Sequence, residues 1–233
     1  MSETEELPRQ FVNFSFYKVD PAWRRLSRDE QDRGKAEFVE VVQSYSRKII
    51  LLPYSLIGLR PDCDMLLWRI GFDLPLFQEM SARINQTGFG KYLSTPFSYL
   101  AVTKRSVYID KHVHPGQEGR RGQIQPGLSK YLFVYPFVKS RDWYLLPFAD
   151  RQKMMESHIA LGHKYPSIRI NTTYSFGIDD QEFVVAFEGD DPREFVDLVQ
   201  SLRETAASKY TVRDTPAFTC VRKDSIKDLI DLV

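Results

Sequence analysis

Cysteine is almost missing from this 233-residue chain: Cys63 and Cys220 stand far apart and form no CxxC. That excludes a disulfide framework, and a reducing cytoplasm is the simplest setting. An excess of either charge is missing too, since 32 Lys and Arg meet 31 Asp and Glu for a net charge of +1. There is no electrostatic case for a nucleic-acid partner or a membrane surface. No apolar run approaches the ~18 residues of a membrane span. The opening MSETEELPRQ is acidic and polar, unlike a signal or transit peptide. No serine, cysteine or paired-carboxylate constellation stands out for hydrolysis.

What is present is an ordinary globular composition, 42% hydrophobic and 27% charged, rich in Phe and Tyr. The chain also reads as written twice. The first run is strand FVNFSFYKV, a long helix over residues 21–46, strands KIILLPYSLIGL and DMLLWRIGFD, a helix over 75–93, and strand PFSYLAVTK. The second is strand YLFVYPFVK, a long helix over 141–164, strands IRINTTYSF and QEFVVAFEGD, a helix over 192–210, and strand AFTCVRK. Local wording repeats as well: Trp23 and Trp143 open the first helices, and Lys91-Tyr92 and Lys209-Tyr210 close the second ones.

Each run is β-α-β-β-α-β, which predicts an α+β chain of duplicated ferredoxin-like halves. Residues 1–109 form the first half and 130–233 the second. Residues 110–129, DKHVHPGQEGRRGQIQPGLS, form a long connection with no hydrophobic period. Each half leaves one sheet face bare of helices. Packing the two bare faces together predicts a barrel-like core, a dimeric α/β barrel within one chain.

Strand KYLFVYPFVK raises the first chemical question. It is apolar enough for a core, yet alternation aims Tyr135, Phe137 and Lys139 to one face. His158, in RQKMMESHIALGHKY, shares the apolar stripe of Met154, Met155, Leu161 and Gly162. It reads either as a core histidine with one hydrogen-bonded nitrogen or as an axial ligand to heme iron. His163 shares less of that stripe. Arg203, beside Leu198, Val199 and Leu202, reads as a surface ion-pair partner of Glu204 or Asp191, or as a carboxylate clamp. Ser208 lies five residues later, so the two would grip different ends of a ligand or a fraying turn. His112 and His114 offer no third metal ligand, and GFGK lacks the spacing of a phosphate loop.

The second half carries a more specific wording. VYPFVKSRDWYLL, MMESHIALGHKYP, SFGIDDQEFVVAFE and LRETAASKYTVRDTP together resemble the chlorite dismutase superfamily over residues 128–223. The first half joins more loosely, through the repeat. The resemblance implies two ferredoxin-like halves per subunit, heme in the C-terminal one, and a homopentamer. In the chlorite dismutases proper, a distal arginine lies seven residues before the glycine of a GxDD turn; counting back from Gly177 reaches Ile170. A glutamate that holds the axial histidine there is matched here by Ala207. The superfamily's coproheme decarboxylases instead carry a Y-P-x-x-K strand, matched by Tyr135 to Lys139. Their axial histidine matches His158, and their propionate-holding arginine and serine match Arg203 and Ser208.

This branch implies peroxide-dependent oxidative decarboxylation of two propionates of iron coproporphyrin III to vinyls, giving heme b. Iron porphyrin and hydrogen peroxide are then the partners, and the enzyme is an oxidoreductase. Tyr135 would lose an electron and a proton together, and Lys139 would hold a propionate or relay a proton. Arg121 would make a further propionate contact. Some members carry a distal histidine before the Y-P strand. Here that neighbourhood is QEGRRGQ, with Glu118 and Gln123, so the peroxide-activating group has no candidate. A non-catalytic porphyrin carrier and a chlorite dismutase are the alternatives within the same fold.

Overall fold

The computed structural model describes residues 7–108 and 122–233. Their first run of elements is β1 (Phe11–Val19), a 3-10 turn (Pro21–Arg25), α1 (Arg28–Gln43), β2 (Ile50–Ser55), β3 (Met65–Gly71) and α2 (Leu74–Gln86). A second 3-10 turn (Gly90–Tyr92) and β4 (Leu93–Val102) complete it. Next come β5 (Tyr131–Lys139), α3 (Arg141–Leu145), α4 (Phe148–Gly162), β6 (Arg169–Tyr174), β7 (Phe183–Gly189) and α5 (Pro192–Arg203). A 3-10 turn (Ala206–Tyr210), β8 (Thr211–Arg213), β9 (Phe218–Arg222) and α6 (Ile226–Ile230) end the chain. No helix among the described residues is long and apolar enough to cross a membrane.

The described residues divide into two compact units, one of residues 10–100 with 219–233, the other of residues 7–9, 101–108 and 122–218. In the first unit β3 pairs antiparallel with β1, from Phe11↔Gly71 to Tyr17↔Met65, and with β2. β4 lies beside β1. The C-terminal residues 219–233, expected with the second half, belong here. Tyr54 and Ser55 of β2 pair with Arg222 and Val221, and Ile226, Leu229 and Ile230 enter the first unit's core. In the second unit β7 pairs antiparallel with β5, from Tyr131↔Gly189 to Phe137↔Phe183, and with β6. β8 extends the other edge of β5 after a register shift at Val138/Lys139.

All four expected long helices are interrupted, each for a local reason. Residues 21–46 break at Leu26 and Ser27, both extended, and α1 restarts on a reciprocal Ser27–Glu30 capping box. Residues 141–164 break at Leu146, whose φ −64° and ψ 146° are those that a following proline imposes. The last two stop early at a threonine. Thr87 Oγ1 donates to Ile84 O at 2.7 Å, and Thr205 Oγ1 donates to Leu202 O at 2.7 Å. A side chain that takes a backbone carbonyl of its own last turn competes with helix propagation.

The first unit is densely filled on its helix-facing side. Phe38, Val42, Phe77, Met80, Ile84 and Phe89 are all buried there. Trp23 and Phe38 both abut Phe89, at ring distances of 4.8 and 5.3 Å. Arg69, only 3% exposed, is embedded in the same unit among neutral acceptors. Its guanidinium donates to Asn13 Oδ1, Ser15 Oγ, Ser81 Oγ and the carbonyl of Phe77. Five N–H groups are thereby accommodated, which makes burial of the charge tolerable.

Phe38→Ala should cost about 3–5 kcal/mol, the usual penalty for emptying a fully packed phenylalanine site. Urea unfolding of the variant should show a lower midpoint with the slope unchanged.

Candidate functional site

The matching side of the second unit is filled differently. Strand alternation puts Tyr131, Phe133, Tyr135, Phe137 and Lys139 on the helix-facing side of β5. Beneath α5 that face is closed: Phe133 stacks on Phe195 at 4.0 Å, and Leu198 and Leu202 are buried. Beneath α4 it is not. α4 buries Gln152 and no apolar side chain fully, leaving Met154, Met155, His158, Ile159 and Leu161 half-buried. The fully buried apolar cluster here has five members against sixteen in the first unit. An incompletely closed apolar face is what a flat, apolar ligand needs.

A comparison of β1 with β5 makes this contrast specific. β1 and β5 are nine residues each, begin 120 residues apart, and meet β3 and β7 in the same register. The same offset takes His158 to Phe38, Tyr135 to Ser15 and Lys139 to Val19. Where the first unit has a plugging phenyl ring, the second has an imidazole. Where the first has a serine serving buried Arg69, the second has a phenol.

His158 sits with Nδ1 3.3 Å from Thr205 Oγ1. Burial, and secondly the charge of Lys139, push its pKa down to about 4, so the ring is neutral at pH 7. Lys139 donates from Nζ to the carbonyl of Ala207 at 2.6 Å and lies 4.5 Å over the Trp143 ring. Burial lowers its pKa to about 8, with Glu182 opposing. The Glu182 carboxylate accepts the Lys139 backbone N–H at 2.8 Å and the Tyr144 hydroxyl at 2.6 Å. Tyr135 packs 5.8 Å from the Phe187 ring. Its phenol pKa is raised, first by burial and then by Asp214, while Arg203 acts the other way. At neutral pH it carries its proton.

The structure thus gathers Tyr135, Lys139 and His158 on one side of the second unit. Ile170, 42% exposed on β6, is cross-strand from Phe187 on the same face. Arg203 and Ser208 lie at its edge, with other engagements. Arg203 pairs with Asp214 at 2.6 Å, a partner that sequence reasoning did not consider, and its side chain remains 64% exposed. Ser208 Oγ is directed at the carbonyls of Arg203 (2.6 Å) and Thr205 (2.8 Å), as a helix-end side chain does. Arg121 lies outside the described residues, as do His112, His114 and Glu118. Thr205, Glu182 and Asp214 were missed. Threonine after a helix reads as a stop signal, and the two carboxylates are far in sequence from the groups they face.

A model of the family described as chlorite dismutase matches residues 31–223. This chain belongs to the chlorite dismutase family. Among relatives, a coproheme decarboxylase of Mycolicibacterium smegmatis is 29% identical over 223 residues, 95% of this chain and 93% of that protein. A mutant chlorite dismutase of Candidatus Nitrospira defluvii superposes with a TM-score of 0.87 at 22% identity, covering 96% of this chain and 94% of its own. A heme-binding protein of Thermus thermophilus gives 0.82 at 22% identity, with the same coverage. The α+β fold of the chlorite dismutase family is therefore that of this chain.

The neutral, partly desolvated state of His158 makes a pH prediction. Between pH ~6.5, the free imidazole value, and about 4, the unfolded chain binds a proton that the folded one does not. Stability from this group is therefore unchanged above that window and falls as pH drops through it. His158→Phe should lose less stability than wild type between pH 7 and 4, the gap growing by roughly 2–3 kcal/mol. Urea titrations at a series of pH values measure it, and parallel loss in both proteins would refute the burial argument.

Proposed function

We propose that this chain is a coproheme decarboxylase that converts iron coproporphyrin III to heme b with hydrogen peroxide in the cytoplasm, working as a homopentamer of subunits with two ferredoxin-like halves. The observation that carries the reading is the half-buried phenol of Tyr135, held protonated by desolvation. It shares one incompletely packed face with a neutral imidazole, His158, and a partly desolvated ammonium, Lys139. The 29% identical coproheme decarboxylase supports the same reading.

The residues fit an iron porphyrin. Among the described residues no three His, Cys, Asp or Glu side chains gather around a common point. His158 would therefore be a lone axial ligand, with the remaining donors supplied by a macrocycle. The half-buried methionines and leucine of α4 offer apolar contact to its face. When bound, the iron porphyrin supplies both the redox centre that peroxide oxidises and the propionates that react.

Tyr135, protonated at neutral pH, gives up an electron and its proton together and then takes a hydrogen atom from the propionate β-carbon. Loss of CO2 and one further electron leaves the vinyl. Each propionate carboxylate, with one H2O2 and one proton, thus yields a vinyl, CO2 and two waters. Lys139, with a pKa of about 8, can hold a propionate or give up a proton as the ammonium, and take one up as the amine. Arg203 keeps guanidinium N–H groups beyond the one given to Asp214, so it can clamp a second carboxylate at the edge of the site. Ile170 presents no charge or hydrogen-bond donor, which disfavours steering of an anionic oxychlorine substrate.

Adding ferric coproporphyrin III to the purified protein and titrating in peroxide should give two successive losses of CO2 plus two hydrogens by mass spectrometry. Tyr135→Phe should bind the porphyrin and abolish both losses. Binding without mass loss in wild type would replace the enzyme by a carrier, and oxygen release on chlorite would replace it by a chlorite dismutase. Arg203→Ala should weaken iron coproporphyrin III, with its four carboxylates, by about tenfold or more and heme b less, as expected for a charge-assisted hydrogen bond of ~1.5–3 kcal/mol. Spectroscopic titration of both porphyrins decides that, and equal losses would make Arg203 structural.

A further inference from the structure

The repeat places one threonine hydroxyl at the end of the second helix in each run, and the two are used differently. Thr87 Oγ1 donates to Ile84 O at 2.7 Å and accepts the backbone N–H of Gly90 at 2.9 Å. Thr205, 118 residues later, makes the same donation to Leu202 O at 2.7 Å. Among the described residues no backbone N–H takes its accepting side. The residue at the place of Gly90 is Ser208, whose N–H goes to the main-chain carbonyl of Thr205 at 3.0 Å. The cause is steric. A Cβ at Gly90 would lie 1.8 Å from Ile84 O, so that tight turn admits only glycine. With serine there the turn opens, and the accepting lone pairs of Thr205 face His158 Nδ1 at 3.3 Å instead.

A hydroxyl has one proton, and Thr205 has committed it to the closer carbonyl. The bond to His158 must then run the other way, with Nδ1–H donating. That fixes the tautomer: Nε2 keeps its lone pair, and it has no hydrogen-bond partner among the described residues. Free histidine prefers the opposite tautomer, with the proton on Nε2. We infer that Thr205 is the positioning residue for His158, holding the ring in the Nδ1–H tautomer so that Nε2 is a ready donor to iron before any porphyrin arrives. Being neutral, the hydroxyl orients the imidazole without drawing it toward imidazolate as a carboxylate would, so the ligand stays a weak electron donor. Ser208 acquires a structural role in the same device, since its Cβ keeps the turn from reclaiming the threonine.

The inference rests on the reading of His158 as an axial ligand, but its first test needs no porphyrin. In the porphyrin-free protein at pH 8, long-range 15N–1H correlation spectra of His158 should show a protonated Nδ1 and a bare Nε2. Thr205→Val, which keeps the shape and removes the acceptor, should move the ring toward Nε2–H. Thr205→Ser should restore the wild-type pattern. An Nε2–H ring in wild type, or an Nδ1–H ring unmoved in Thr205→Val, would overturn the assignment. In the second arm, Thr205→Val should bind ferric coproporphyrin III about tenfold more weakly, the low end of losses for residues that orient a metal ligand. Thr205→Ser should stay near wild type, and equal affinity of all three proteins would overturn the positioning role. If the tautomer behaves as stated but no axial-imidazole spectrum forms with porphyrin, the functional reading fails and the hydrogen bond stands.

Discussion

An amphipathic sheet face has to be covered, and how completely it is covered governs everything else in this molecule. β1 and β5 are equally long and meet β3 and β7 in the same register. In the first run Phe38, Phe77, Met80 and Phe89 are all buried in one cluster. In the second, α5 closes its share of the face while α4 does not, and the residues opposite α4 carry the candidate chemistry. Similar strands thus back a structural core in one unit and a candidate site in the other, and side-chain volume separates them.

Leaving a face partly covered has electrostatic consequences. Groups there are removed from bulk water without being fully paired, so their charged forms are penalised. The imidazole of His158 and the ammonium of Lys139 shift toward neutrality and the phenol of Tyr135 is held protonated, with burial the leading cause in all three. The first run manages its buried cation by another route: Arg69 is surrounded by hydroxyls, an amide and a carbonyl, and stays structural. A site needs groups that can still change protonation or ligation, which a fully satisfied guanidinium cannot.

Hydrogen bonds at helix ends connect packing to chemistry. Thr205 stops α5, and the same hydroxyl reaches His158 on α4. Lys139 on β5 is anchored by the carbonyl of Ala207, in the 3-10 turn that follows Thr205. The short segment from Arg203 to Ser208 therefore touches the imidazole and the ammonium, and carries the guanidinium paired with Asp214. Its irregular backbone offers carbonyls and hydroxyls that a continuous helix would have used internally.

The order of the main strands and helices was legible in the sequence because alternation and apolar periodicity are local. Tyr135, Lys139 and His158 could be singled out for the same reason: polar side chains stand out on stripes that periodicity marks as buried. Helix ends were less legible. The breaks at Leu146 and Thr205 depend on a following proline and on one side-chain hydrogen bond, which weigh little against a long apolar period. Only the tertiary structure could give Arg203 its partner Asp214, place Glu182 against Lys139 and Tyr144, and bring Thr205 to His158 across 47 residues. It alone also joined residues 219–233 to the first unit. Those pairings are set by how helices lie on a sheet and by which backbone groups a turn leaves free, quantities that no local pattern of residues encodes.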